Sequence, residues 1–351
     1  DCELTSTKMG STSTWRVGDL VGTANVGQVT IDQATVDNTK GNTRKQKSAT
    51  TSAIENGLVG RAVLGDTGLL VVAGKVTAAE GTVALVISAQ GKTTTQHTSL
   101  DDAIKAATEG STVELLGDVT LKDTESLTIS AGKELTLDLN GFTISQEKKQ
   151  TTGHSLLTNN GTLTIKDSSA AGTGKITYED TGRGSGTSYT SNTITNKGTL
   201  TLESGTIENT CSTHTPHNGL PYAIDNQSGS STASLTITGG TVDCKAYSAI
   251  RLFCNSTANT NSATISGGTI RGCVEYQQPM GAHDKALGSL TITGGNFGRN
   301  AANMKRSLYI FSYGSERDCS GMSCQITGGD FSGLVEVNEY AKDFNNAFIT
   351  G

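Results

Sequence analysis

The 351-residue chain has only 3 prolines, 4 methionines, 1 tryptophan and 5% aromatic residues, and hydrophobic residues make up 34% of it. So little Leu, Met and aromatic mass argues against a helical bundle or a doubly wound α/β domain. The longest apolar run is Leu69-Leu70-Val71-Val72-Ala73, far below the roughly 20 residues that a membrane-spanning helix needs, so no membrane span is expected. Basic residues are also short. The 27 Lys and Arg stand against 33 Asp and Glu, for a formal net charge of −6, which gives no electrostatic reason to expect nucleic acid or an anionic membrane as partner.

What is abundant is glycine, 43 residues, and threonine, 55 residues. That combination predicts an all-β protein of short strands joined by Gly turns. One phrase recurs: Leu163-Thr-Ile-Lys, Leu200-Thr-Leu-Glu-Ser-Gly-Thr-Ile207, Leu235-Thr-Ile-Thr-Gly-Gly-Thr-Val242, Ala263-Thr-Ile-Ser-Gly-Gly-Thr-Ile270, Leu290-Thr-Ile-Thr-Gly-Gly-Asn-Phe297 and Cys324-Gln-Ile-Thr-Gly-Gly-Asp-Phe331. The starts are spaced by 37, 35, 28, 27 and 34 residues, and Leu135-Thr-Leu-Asp-Leu-Asn-Gly-Phe-Thr-Ile144 is an earlier member. A self-similar period of this length is the mark of a solenoid. In each copy the apolar residues alternate, a Gly pair breaks the strand, and a second apolar position follows. A third strand precedes the next copy, as in Ala249 to Phe253 and Ser307 to Phe311. Three strands per period predict a parallel β-helix, with variable lengths marking loop insertions, the longest from Ser168 to Ser191.

Before the repeats, Ser99-Leu-Asp-Asp-Ala-Ile-Lys-Ala-Ala-Thr-Glu-Gly110 has a Ser N-cap, acids in the first turn, apolar residues at helical spacing and a Gly stop. It predicts a capping helix over about 99–109, at the start of a solenoid domain covering 96–351. Residues 1–95 read as a separate small β-sandwich-like or barrel domain, with strands at 15–20, 28–31, 58–64, 69–73 and 82–87. Asp37 to Gly57, carrying Lys40, Arg44, Lys45 and Lys47, reads as a solvated loop.

The run from Ser99 to Leu121, followed by Leu135 to Ile144 and the Leu-Thr-Ile-Thr-Gly-Gly copies, resembles the pectate-lyase-like right-handed β-helix repeats of bacterial surface proteins, especially those of gut anaerobes. The resemblance covers about residues 99–351. It implies a right-handed solenoid and leaves function open, because this solenoid carries lyases, hydrolases, adhesins and phage tailspikes.

For catalysis, lyases and hydrolases need acids converging on one face. Asp138, Glu203, Asp225, Asp243 and Glu275 fall at different offsets from the repeat, and Asp138 reads as part of a turn. His214 and His217 sit in a loop with Pro216, and His97, His154 and His283 read as isolated and exposed. Gly182 to Gly186 lacks the Lys-Ser/Thr of a phosphate loop. No catalytic, cofactor or metal site is expected. Sequons at Asn160, Asn226 and Asn255 decide nothing in so Ser/Thr-rich a chain.

The seven cysteines form no C-x-x-C pair, which suggests disulfides of an exported protein. Cys319 and Cys324 predict a local bond. Cys211, Cys244 and Cys273 follow the corners of successive coils, so two of them are expected to pair, or one of them with Cys254. Cys2 is then left over, either as an unpaired or buried thiol or for a bond to another chain. The chain begins at Asp1 with no charged-then-apolar leader, so any secretion signal has been removed or was never part of this sequence, and the cysteine pattern reads as an extracellular or cell-surface protein. The tail Ala347-Phe348-Ile349-Thr-Gly351 begins another repeat phrase and stops, so head-to-tail self-association through an open last coil is expected, with Cys2, Phe348, Ile349 and Gly351 at the junction. The leading expectation is thus a non-enzymatic structural or adhesive solenoid, a filament or stalk subunit with a possible glycan or host-surface ligand. The alternative is a carbohydrate-active β-helix enzyme or a phage tailspike.

Overall fold

The computed structural model describes residues 24–25, 28–31, 62–63, 69–72, 75–78, 80–90, 94–149, 152–181, 189–211, 220–278, 285–298, 305–312 and 319–338, with backbone only for 24–77. The chain divides into two compact units, Asp1–Thr82 and Val83–Gly351. In the first, Ala24–Asn25 pairs parallel with Ala62–Val63, and Gln28–Ile31, Leu69–Val72 and Lys75–Thr77 form a three-stranded sheet. The strand expected at 15–20 and the basic loop at 37–57 lie outside the described residues. The hairpin Ala84–Ile87 and Thr94–His97, which the sequence reading gave to the first domain, pairs antiparallel with Ser111–Leu115 of the second unit. The division therefore falls near residue 82 instead of 95.

Among the strands from Ser111 onward every pairing is parallel, and these strands visit three sheets in rotation. Thr162–Lys166, Lys175–Asp180 and Ser191–Asn196 make one round; Thr199–Leu202, Thr206–Asn209 and Pro221–Ser228 make the next. A first sheet of eight strands runs from Leu127–Ile129 to Leu334–Val337. The central one has ten, and a third of eight runs from Val119–Thr120 to Asp330–Phe331. This nearly all-β architecture of long parallel sheets is compatible with a β-helix solenoid. The predicted insertion at 168–191 is partly strand, because Ile176 and Tyr178 alternate inward and are fully buried.

The repeat phrase maps onto the register. Its Leu position stacks as Leu135, Leu163, Leu200, Leu235, Ala263, Leu290 and Cys324. Its Ile position stacks as Val113, Leu137, Ile165, Leu202, Ile237, Ile265, Ile292 and Ile326. The apolar residue after the Gly pair stacks in the third sheet, from Ile144 through Ile176, Ile207, Val242 and Ile270 to Phe297 and Phe331. All three rows belong to one hydrophobic core, in which each buried aliphatic side chain contributes about 1.5–3 kcal/mol.

The two glycines of a pair do different work. Gly240 has φ of +74°, whereas a Cβ on Gly239 would lie 2.2 Å from the Glu203 carbonyl oxygen of the preceding coil. The first glycine thus permits close stacking of successive repeats and the second turns the chain.

At the corner between the first and central sheets, asparagines form an internal ladder that sequence reading missed. Asn159 Nδ2 donates to Asn196 Oδ1 at 2.7 Å, Asn196 to Asn226 at 2.5 Å, and Asn226 to Asn261 at 2.6 Å. All four are fully buried, so Asn226 is closed to glycosylation at its sequon. Replacing Asn226 with Ala leaves the Asn196 amide and the Asn261 oxygen short of a partner. A loss of about 2–3 kcal/mol is expected, read as a lower midpoint in urea unfolding with the slope unchanged.

The expected helix is present as Leu100–Ala106. Ser99 caps it by accepting from Asp102 N at 3.3 Å, and Leu100, Ala103 and Ile104 are buried against Ala84–Ile87, Thr94–His97 and Leu127–Ile129. It ends before the predicted Gly stop, where Lys133 Nζ donates to the carbonyls of Ile104, Lys105 and Ala107 at 2.8, 2.9 and 2.7 Å.

Candidate functional site

Strands Ser191–Asn196, Pro221–Ser228 and Val274–Gln278 of the first sheet are buried on both faces at nearly every position. Their inward residues join the core. The outward residues of this sheet include charged and aromatic side chains. Strand register places Thr195, Asp225, Arg251, Glu275, Tyr309 and Glu336 in one outward row. The expectation that the acids do not align is therefore corrected for Asp225 and Glu275. Their offsets from the repeat phrase differ because the connection from the first to the central sheet varies in length, while the hydrogen-bonded ladder keeps the strands in step. Asp138 and Asp243 lie on the other two sheets, paired with Lys166 at 3.3 Å and Arg271 at 3.6 Å. Asp138 Oδ1 also accepts from Asn140 N and Ser168 N, both at 3.0 Å, as expected of a turn residue.

The Asp225 carboxylate is fully buried and fully engaged. Arg251 Nε donates to Oδ1 at 2.7 Å and its Nη2 to Oδ2, while Asn192 Nδ2 at 3.0 Å and the Gln227 amide also donate to Oδ2. The Arg251 guanidinium is sandwiched between the Tyr222 and Phe253 rings, 4.6 and 4.5 Å from their centroids. Burial works against its charge, but Asp225, Tyr222 and Glu275 together outweigh it and raise its pKa above the usual value. Glu275, also buried, accepts from the Tyr222 hydroxyl at 3.3 Å. Burial raises its pKa, opposed by the Tyr247 hydroxyl, the Arg251 charge and the Tyr222 hydroxyl. Toward the end of the row the face opens. Arg306 makes a two-pronged contact with Glu336 at 2.7 and 2.9 Å, half exposed, and stacks 4.1 Å from the Tyr309 centroid.

A second polar group lies near the start of the same sheet. His154, expected to be exposed, is half-buried, with Nε2 2.8 Å from Gln146 Oε1 and its ring 5.6 Å from that of Tyr178. Nearby, Ser191 Oγ donates to the buried Asp180 at 2.7 Å. Burial, followed by the Lys148 charge, lowers the His154 pKa from 6.5 to about 4, against the pull of Asp180. The unfolded chain then binds the extra proton, so this contribution is complete above about pH 6.5 and is lost as pH falls toward 4. Allowing for solvent screening of a half-buried ring, about 1–2 kcal/mol is at stake. Denaturant titrations at about pH 7 and about pH 4.5 will show the stability gap between the two shrinking by that amount in His154→Gln.

The cysteine expectations are corrected. Cys211, Cys244, Cys254, Cys273, Cys319 and Cys324 are all buried, and none of them forms a disulfide. Cys324 occupies the Leu position of the repeat and faces the core, while the Cys319 thiol donates to Gln278 Oε1 at 3.0 Å, so the predicted local bond does not form. Cys244 donates to the Pro221 carbonyl at 3.4 Å, and Cys211 accepts from Asp180 N at 3.1 Å. Burial pushes the Cys244 and Cys324 thiols up to about 12, and Cys254 and Cys273 also upward, which keeps them protonated and unreactive. Cys2, Phe348, Ile349 and Gly351, with His214, His217, His283 and Gly182 to Gly186, lie outside the described residues. No helix among the described residues is long and apolar enough to cross a membrane. Among those residues no three His, Cys, Asp or Glu side chains gather as metal ligands would.

The residues of this outward face that sequence reading overlooked are Tyr222, Arg251, Tyr309, Arg306 and Glu336. A usable signal was present in Ala-Ile-Arg251-Leu-Phe253 and Leu-Tyr309-Ile-Phe311, where charged and aromatic residues occupy the outward positions of otherwise apolar strands. No protein family model, curated protein or solved structure matches the chain.

Proposed function

We propose that this chain is a non-enzymatic extracellular β-solenoid, a right-handed parallel β-helix with Leu100–Ala106 as its N-terminal cap and a small β-sandwich or barrel before it. In this reading its rigidity is its function, as a structural or adhesive subunit that joins head to tail. The observation that carries it is the state of the aligned acids. Asp225 has four donors on its two oxygens, and Glu275 is held by the buried Tyr222 and the half-buried Tyr247, so these carboxylates brace neighbouring coils instead of meeting a substrate. The extracellular reading rests on composition and on the resemblance, since none of the six described cysteines forms a disulfide. Assembly draws support from the last described strand, where Leu334 is 55% exposed, the one large hydrophobic so exposed among the described residues. An apolar sheet edge of this kind invites pairing. Light scattering and electron microscopy are expected to show linear oligomers that Leu334→Lys disperses. Monomers at high concentration of the unaltered chain would contradict the assembly.

One observation favours a second reading. Asp225 and Glu275 stand two strands apart, about 9.6 Å along the sheet, near the carboxyl separation of inverting glycosidases. Incubation with pectins, alginates and host glycans separates the readings. We expect no reducing ends and no unsaturated products. Turnover that Asp225→Asn or Glu275→Gln abolishes would establish the enzyme.

A further inference from the structure

The outward face of the central sheet has a different chemistry from that of the first. Its middle row is Thr112, Thr136, Thr164, Thr201, Thr236, Thr264 and Thr291, one threonine per strand in unbroken register. Two further rows flank it. One runs Thr162, Thr199, Ser234, Ser262, Ser289 and Ser323. The other includes Thr238, Ser266, Thr293 and Thr327, whose amides continue the ladder to the preceding coil. Across the last four coils this makes a grid of hydroxyl side chains broken only by Gln325, with no charge and no aromatic ring in it.

None of the grid's residues is buried, and Thr238, Thr264, Ser266, Thr293 and Thr327 are exposed. The flanking Thr238, Ser262 and Ser266 hydroxyls lean back on carbonyls of the preceding coil at 3.4, 3.4 and 3.5 Å. Among the described residues the middle-row hydroxyls have no such partner, and each stands beside its own γ-methyl group. Strand pairing sets the repeat along the row at about 4.8 Å, over roughly 29 Å from Thr112 to Thr291.

From this we propose that the hydroxyl grid is a binding face for an ordered water lattice, the surface of an ice crystal. Small-molecule sites are concave and lined mostly by apolar and aromatic side chains with a few convergent polar groups, and the grid has no ring. A macromolecular partner with its own charges finds no complement in the last four coils. What the grid offers is repetition. Hydroxyls at a fixed spacing, held by a rigid sheet, can hydrogen-bond a file of waters without losing side-chain freedom on binding, since χ1 of Thr is already restricted. The spacing is close to the oxygen repeat along the a axis of hexagonal ice, and the intervening methyl groups fit between waters that bond to one another.

The proposal is independent of the assembly described above. The test is nanolitre osmometry and ice-affinity capture of the full chain, with circular dichroism to confirm the fold. The expected result is faceted crystals, a freezing point held below the melting point, and enrichment of the chain in ice. Thr264→Lys, at the centre of the grid, should abolish crystal shaping, whereas Thr206→Lys on the third sheet should leave it intact. Folded chain that neither shapes nor enters ice would overturn the proposal. So would equal activity of the Thr264→Lys variant, or retention on an insoluble polysaccharide, lost in Thr264→Lys, without any effect on ice.

Discussion

Ile237→Asp is expected to remove more than about 4 kcal/mol of stability, because it combines a cavity with an unpaired buried charge. Ile237 is fully buried and sits between Leu202 and Ile265 in the row of aliphatic side chains that passes through every coil of the central sheet. Each coil of a solenoid is supported by its two neighbours, so the damage should concentrate around that coil. Circular dichroism will show partial loss of the β signal, and limited proteolysis will cut near residues 200–265 before elsewhere. Ile237→Val, which keeps the shape, should cost only about 1 kcal/mol. Equal behaviour of Ile237→Asp and the unaltered chain would mean that this residue does not face the core.

A second large effect is expected at Arg251. Removing its guanidinium, as in Arg251→Met, leaves the Asp225 carboxylate at 0% exposure with only amide donors. Breaking a buried pair from one side costs about 3–5 kcal/mol. Part of this comes from lost stacking on Tyr222 and Phe253. Replacing both partners, as in Asp225→Leu with Arg251→Met, should recover most of the loss, because neither charge then needs solvation. Urea unfolding of the two single variants and the double variant measures the coupling. Purely additive losses would show that the pair does not brace the sheet. The half-exposed Arg306 and Glu336 pair makes a useful contrast, since open ion pairs of this kind contribute at most about 1 kcal/mol.

The repeat phrase made the inward rows of the three sheets legible. Leu235, Ile237 and Val242 each fall in a continuous inward row, and the Gly pair falls at the corner between them. The helix was legible too, because Ser99, Asp101, Asp102 and Ile104 are local signals that need no knowledge of the rest of the chain. The outer row of the first sheet was not. Asp225, Arg251 and Glu275 lie at unequal distances from the repeat phrase, so their alignment emerges only once hydrogen bonding brings the strands into step. The cysteines misled for a related reason. Regular placement of Cys211, Cys244 and Cys273 near the corners looked like a disulfide framework, but a buried thiol is also a small apolar filler, and Cys324 replaces the Leu of its repeat. The asparagine ladder escaped because only Asn159 and Asn196 share an offset from the phrase, each four residues before its Leu.

The central claim, that the repeat phrases stack in register, is tested most directly by one distance between spin labels on Cys substituted at Thr136 and Thr291. These residues are 155 apart in sequence, yet belong to one row five strand spacings long. Electron–electron double resonance is therefore predicted to give a single narrow distribution centred at about 24 Å. A broad distribution, or one centred well away from that value, would contradict the stacked solenoid.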